Sequence, residues 1–165
     1  MKKIDFDDVE LRQRKLKYDI SSNIFDDYTY QLEMIINAFE KKNYHEKVIV
    51  ERELTAKINS YKSQDKKKDL HDVKNLITIE QVIEKLMKSK LKCCYCNCEI
   101  LVLYNKVRDK RQWTLDRINN YDEHTKDNTV VCCLGCNLQR RRQNSEKFKF
   151  TKQLVTNEMI IKKIE

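Results

Sequence analysis

The sequence predicts an α+β protein: a helical N-terminal region, then a small cysteine-stapled module of two short strands and a helix, then a C-terminal helix. Three observations predict it. Apolar residues recur at helical spacing through the first half, two Cys-x-x-Cys pairs punctuate the second half, and beside those pairs lie short runs rich in β-branched and large apolar side chains. A chain of 165 residues suits one functional unit, with a helical part over residues 1–68 and the stapled module over 69–165.

The first twenty-odd residues are highly charged and are expected to be partly disordered. Leu32, Ile35, Ile36 and Phe39 form one helical stripe and Val50, Leu54, Ile58 and Tyr61 a second, so two amphipathic helices follow, with the break near Asn43. The polar run Ser63, Gln64, Asp65, Lys66, Lys67, Lys68, Asp69 is the expected linker. Thr78 with Gln81 makes a capping box, in which the hydroxyl and the amide satisfy orphan N–H groups, and Ile79, Val82, Ile83 and Leu86 supply the face of a short helix. Ile100–Leu103, Trp113–Leu115 and Thr129–Val131 read as strands. Trp113 is expected in the core rather than as a platform for bases. Leu154, Ile161 and Ile164 suggest a closing helix, and no internal repeat is evident.

Lys+Arg number 34 against 26 Asp+Glu, a formal charge of +8 and a pI near 9.0. That balance favours a polyanionic partner, either nucleic acid or an anionic membrane surface. No stretch has the length of a membrane span, and the N-terminus, Met1-Lys2-Lys3-Ile4-Asp5-Phe6-Asp7-Asp8, turns acidic where a signal peptide needs an apolar run, so an intracellular, cytoplasmic or nuclear protein is expected. Pro 0 and Gly 1 in a chain rich in Lys, Asn and Ile are what an AT-rich genome, such as that of a large DNA virus or a parasite, produces.

Seven cysteines, an odd number in two tight groups, argue for thiolates holding a metal rather than for disulfides. Cys93 with Cys96 and Cys133 with Cys136 have the spacing that lets a knuckle aim two sulfurs at one tetrahedral ion, which predicts a structural Zn²⁺ site. Cys94, Cys98 and Cys132 are then spare, with Cys94 or Cys98 as the alternative to one of the four named ligands. The stretch between the knuckles is longer than a minimal zinc ribbon requires, so something is inserted there.

Within and after that insertion stand Trp113-Thr114-Leu115-Asp116-Arg117-Ile118-Asn119-Asn120, His124, Asn128-Thr129-Val130-Val131-Cys132-Cys133 and Cys136-Asn137-Leu138-Gln139-Arg140-Arg141. In this order they resemble the HNH endonuclease family, and in particular its zinc-stapled branch, which includes the phage recombination endonuclease VII type. The resemblance covers about residues 78–142. It implies a ββα-metal fold in which a hairpin and a helix hold one divalent ion, Asp116 and Asn137 as its Mg²⁺ or Mn²⁺ ligands, and Asn128 as the brace of the hairpin loop that also orients the base. A hard cation of this kind wants oxygen ligands and leaves room for water and a substrate phosphate. The resemblance further implies double-stranded DNA as partner, with branched or nicked DNA as one option, and a homodimer, since nucleases making paired cuts are often dimers.

One position departs from the family. Its general-base histidine usually follows the metal-binding aspartate directly, whereas here that place is held by Arg117, which keeps its proton near neutral pH. Either His124 swings in as the base, or Arg117 grips the phosphate while a metal-bound water loses its proton to solvent, or the module has lost catalysis and only binds. Arg140, Arg141 and Arg142 on the expected helix, with Arg117, are placed to meet phosphates; Arg108, Lys110 and Arg111 precede the first strand. The function expected is metal-dependent hydrolysis of phosphodiester bonds in DNA. The alternatives are a non-catalytic zinc-binding module acting in transcription or packaging, and a protein-interaction adaptor centred on the N-terminal helices.

Overall fold

The periodic stripes of the first half become helices that pack against a third helix, the one opened by Thr78. The computed structural model describes residues 10–70 and 75–164, so Met1–Asp8, whose acidic turn is unlike a signal peptide, lie outside the described residues. A 3-10 turn Ser22–Asp26 leads into α1 (Tyr28–Phe39), capped by the Asp27 side chain, and α2 (Lys47–Lys67) follows. The capping box of Thr78 and Gln81 is present and opens α3 (Ile79–Lys88). Strands β1 (Trp113–Arg117) and β2 (Thr129–Cys133) pair antiparallel, from Trp113 opposite Cys133 to Arg117 opposite Thr129. Helix α4 (Leu134–Arg140) leaves β2 directly and packs against both strands, and α5 (Ser145–Ile164) ends the chain. The architecture is therefore α+β, with five α-helices and one small sheet among the described residues. None of the described helices is long and apolar enough to cross a membrane.

One continuous cluster of buried side chains runs from Ile24 to Phe148. The second predicted stripe is buried as expected at Val50, Leu54, Ile58 and Tyr61. The first is rotated: Gln31, Met34 and Ile35 face inward, whereas Ile36 and Phe39 are 39% and 44% exposed. Helix α1 turns because Gln31 is needed inside. Its amide donates to Ile24 O and Leu103 O and its oxygen accepts from the backbone N–H of Val102 and Leu103, at 2.8–2.9 Å throughout.

The same side chain explains why Ile100–Leu103 is not a strand. All four residues are buried, but Gln31 supplies the hydrogen bonds a neighbouring strand would have given, and only an isolated bridge from Leu101 to Gln112 forms. The expected linker also differs. Ser63 to Lys67 continue α2, and within them Asp65 is fully buried. Residues 10–20 lie against the body of the protein: Gln13 bridges to Lys106, and the Arg14 guanidinium stands 4.3 Å over the Tyr104 ring and 2.9 Å from Glu53. The closing helix is present, anchored by Phe148 edge-on to Tyr95, but Leu154 and Ile161 are exposed rather than core.

Candidate functional site

The two knuckles come together. The first turns back on itself through Cys93 N–H to Cys98 O and Asn97 N–H to Cys93 O, both 2.9 Å, with Asn97 in the left-handed region at φ 59°. Asparagine tolerates that conformation better than most side chains. Cys94 N–H then donates to Val131 O across to β2. In the second knuckle the Cys133 sulfur caps α4 by accepting from Cys136 N–H at 3.3 Å. As a result the sulfurs of Cys93, Cys96, Cys133 and Cys136 all lie within 4.8 Å of one another, a group able to hold a metal ion. The four thiols share protons: hydrogen bonds from Cys133 and then Cys136 hold Cys93 and Cys96 below their ordinary range, while Cys133 and Cys136 are held above theirs. All seven cysteines are free of disulfides. Cys132 is buried against Thr114 and, with Cys94, lies outside this group, whereas the Cys98 thiol hydrogen-bonds to Cys133, Cys93 and Cys96 at its edge.

A second candidate site opens along β1. A cleft of about 1030 Å³ is walled by Lys57 and Tyr61 of α2 and Lys68 just beyond it, by Asp116 and Arg117 of β1, by His124 of the β1–β2 loop, and by Asn137, Arg141 and Arg142 at and beyond α4. Five cationic side chains thus face one carboxylate across it. Three of the residues singled out from the sequence, Asp116, His124 and Asn137, share this cleft.

Asp116 is buried and half committed. Its Oδ2 accepts from Tyr95 OH at 2.6 Å and from Arg140 Nη1 at 2.8 Å. Asn137 lies inside α4 rather than at its cap, and its amide nitrogen donates to Thr114 Oγ1 at 3.1 Å. Asp116 Oδ1 and the Asn137 amide oxygen accept no hydrogen bond among the described residues, and both residues line the cleft. Two uncommitted oxygens suit a hard cation that keeps waters and shares a substrate phosphate, although the Arg140 guanidinium already neutralises part of the Asp116 charge.

His124 is buried, not loose in the loop. Its ring stacks on Tyr61 with centroids 4.5 Å apart, Nδ1 lies 2.7 Å from Asp65 Oδ1, and its backbone N–H donates to Asp65 Oδ2 at 2.9 Å. The other ring nitrogen, Nε2, makes no hydrogen bond among the described residues, and His124 lines the cleft. Burial holds the imidazole below its ordinary pKa, opposed by the Asp65 carboxylate and helped by Arg117 and Lys68. A neutral ring near pH 7 follows.

The arginines divide. Arg141 and Arg142 are exposed at the rim of the cleft. Arg140, expected to meet phosphate, is only 2% exposed, and its N–H groups go to Gln143 O, Asp116 Oδ2, Arg117 O and Ile118 O. A guanidinium so fully bonded holds the fold and has nothing left for a ligand. Arg117 is also buried, donating to Asp122 O at 3.0 Å and lying 3.8 Å from Asp65. Asn128 does not line the cleft. It braces the loop, accepting from Asn119 N–H at 2.8 Å and donating to Asn119 O and Glu123 O.

Four contributors were missed by sequence reasoning: Lys57, Tyr61 and Asp65 from α2, and Tyr95 from the first knuckle. A signal for Asp65 existed, since it continues the Val50, Leu54, Ile58, Tyr61 stripe onto the next turn, and an acid on a core face needs a partner. Burial pushes the Lys57 ammonium down to about 7, where it stands over the Trp113 ring and donates to Trp113 O. Against known protein families, curated proteins and solved structures, the chain matches none.

Proposed function

We propose that this protein is a metal-dependent endonuclease that hydrolyses phosphodiester bonds in DNA, stapled by a structural Zn²⁺. The observation that carries the proposal is that Asp116, Asn137 and His124 line one cationic cleft, with no hydrogen bond to His124 Nε2 among the described residues. For the staple, four thiolates around Zn²⁺ at about 2.3 Å would stand about 3.8 Å apart, and Cys96 and Cys133 stand 3.9 Å apart.

In the cleft, Arg141, Arg142 and Lys68 draw in the phosphate backbone and set its register without choosing a sequence. Asp116 and Asn137 would hold a divalent ion, which when bound supplies positive charge beside the scissile phosphate and the departing 3′ oxygen. Neutral His124 takes, at Nε2, the proton of the water whose oxygen bonds to phosphorus. The P–O3′ bond breaks, and the 3′ oxygen is protonated from solvent. The residue order that resembles the HNH family supports this reading, and His124 fills the role that Arg117 cannot.

A second reading, a module that binds DNA without cutting it, draws on the Arg140 ion pair, which reduces the charge Asp116 can offer a cation. Nicking of supercoiled plasmid at low salt, with Mg²⁺, with Mn²⁺ and with EDTA added just before the assay, separates the two. The endonuclease gives metal-dependent nicking that Asp116→Ala and His124→Ala each reduce on the order of 10²- to 10⁴-fold. Intact plasmid together with a salt-sensitive gel shift supports the binding module.

A further inference from the structure

We propose that Asp65, on helix α2, is the positioning residue of the His124 base, fixing its tautomer and aiming Nε2 into the cleft. The inference rests on the endonuclease reading for its catalytic meaning, while the geometry stands alone. Asp65 is fully buried and grips His124 at two points, Oδ1 against Nδ1 at 2.7 Å and Oδ2 against the backbone N–H at 2.9 Å. A carboxylate only accepts hydrogen bonds. With Oδ2 taken by the backbone, Nδ1 must bring the proton to Oδ1, and Nε2 is left with its lone pair. A histidine held in the opposite tautomer would present N–H to the cleft and could not act as a base.

The rest of the surroundings keeps this pair in place. Tyr61, one turn before Asp65, stacks on the imidazole and accepts at its hydroxyl from Leu115 N–H at 2.9 Å, which ties α2 to β1 beside Asp116. Ile77 N–H donates to His124 O at 2.9 Å. The charged and titratable groups facing the ring are Tyr61 and Asp65 from α2, Lys68 just beyond it and Arg117 from β1, and Asp65 is the one anion among them. The imidazolium formed when Nε2 takes the water proton is therefore stabilised chiefly by Asp65.

The test uses the full-length, zinc-loaded chain. Nitrogen-15 NMR of the His124 ring in the unmodified protein should show the Nδ1–H tautomer and a pKa below that of an ordinary imidazole. In Asp65→Asn the tautomer should shift toward Nε2–H and the pKa should fall further, because the carboxylate that opposes burial is gone. Plasmid nicking should drop on the order of 10²- to 10⁴-fold at its plateau, with the acid limb of the pH profile moved to lower pH. In a His124→Ala background Asp65→Asn should cause no further loss. An unmodified protein whose His124 is Nε2–H, or an Asp65→Asn variant with unchanged tautomer and pKa, overturns the proposal, and the first of these needs no variant to fold. Absence of nicking by the unmodified protein sinks the endonuclease reading instead, while the ring spectra still decide what Asp65 does.

Discussion

The sulfur cluster meets the sheet at Cys133 of β2 and the cleft runs along β1, and the two are assembled in opposite ways. Each half of the cluster is a local turn: Cys93 and Cys96 share one knuckle, Cys133 and Cys136 another, and a single association of two turns completes it. The cleft is assembled from distant pieces, with His124 meeting Asp65 59 positions away and Asp116 meeting Arg140 24 positions away. Local spacing is enough to specify a staple. The cleft exists only once separate elements have docked, so its shape and charge are bound up with tertiary packing.

That contrast can be broken or sharpened by substitution. The largest effect is expected from Cys136→Ser, which removes one of four ligands from a site able to contribute on the order of 10 kcal/mol to folding; the cooperative thermal transition should collapse, and a metal-sensitive dye should register zinc release. Survival of a cooperative melt would show that the cluster is not the staple. Arg140→Leu comes next. It strands the buried Asp116 without its cation and should lower stability by about 3 to 5 kcal/mol, measured by urea unfolding, with zinc still bound in the folded fraction.

Tyr61→Phe keeps the ring under His124 but leaves the Leu115 N–H without its acceptor, a loss of about 1 to 3 kcal/mol that the same unfolding measurement detects. The smallest effect concerns one proton. Because folding holds the His124 pKa below its ordinary value, the unfolded chain takes up the proton more readily, and His124 must reduce stability as pH falls below about 6.5. Unfolding free energies compared across that range should lose part of their slope in His124→Gln.

The same contrast decides what could be read beforehand. The knuckles, the capping box of Thr78 and Gln81, and the strands at Trp113 and Thr129 are set by neighbours within a few positions, and each was legible. Ile100–Leu103 misled because a strand and a fully buried loop carry the same apolar signature, and only the Gln31 amide, on a different helix, distinguishes them. Ser63–Asp69 looked like a linker because polar composition does not show that one of its acids is buried against a histidine far along the chain. Arg140 misled for a related reason: a run of arginines predicts a solvated face, and nothing local reveals that one of the three is enclosed by carbonyls. In the cleft, sequence order brought forward Asp116, His124 and Asn137 but not the wall that α2 provides.

The single tryptophan occupies an informative place in this arrangement. Trp113 is wholly buried at the start of β1, with the Lys57 ammonium of α2 4.8 Å from its ring. Its fluorescence therefore reports on the seam between α2 and the sheet, although Trp113 also pairs across the sheet with Cys133, so a metal-sensitive dye read alongside it separates the two. If α2 parted from the strands, the indole would meet water and its emission would shift to the red, while the metal stayed bound. An indole shift without a dye signal tells opening of the cleft from loss of the staple.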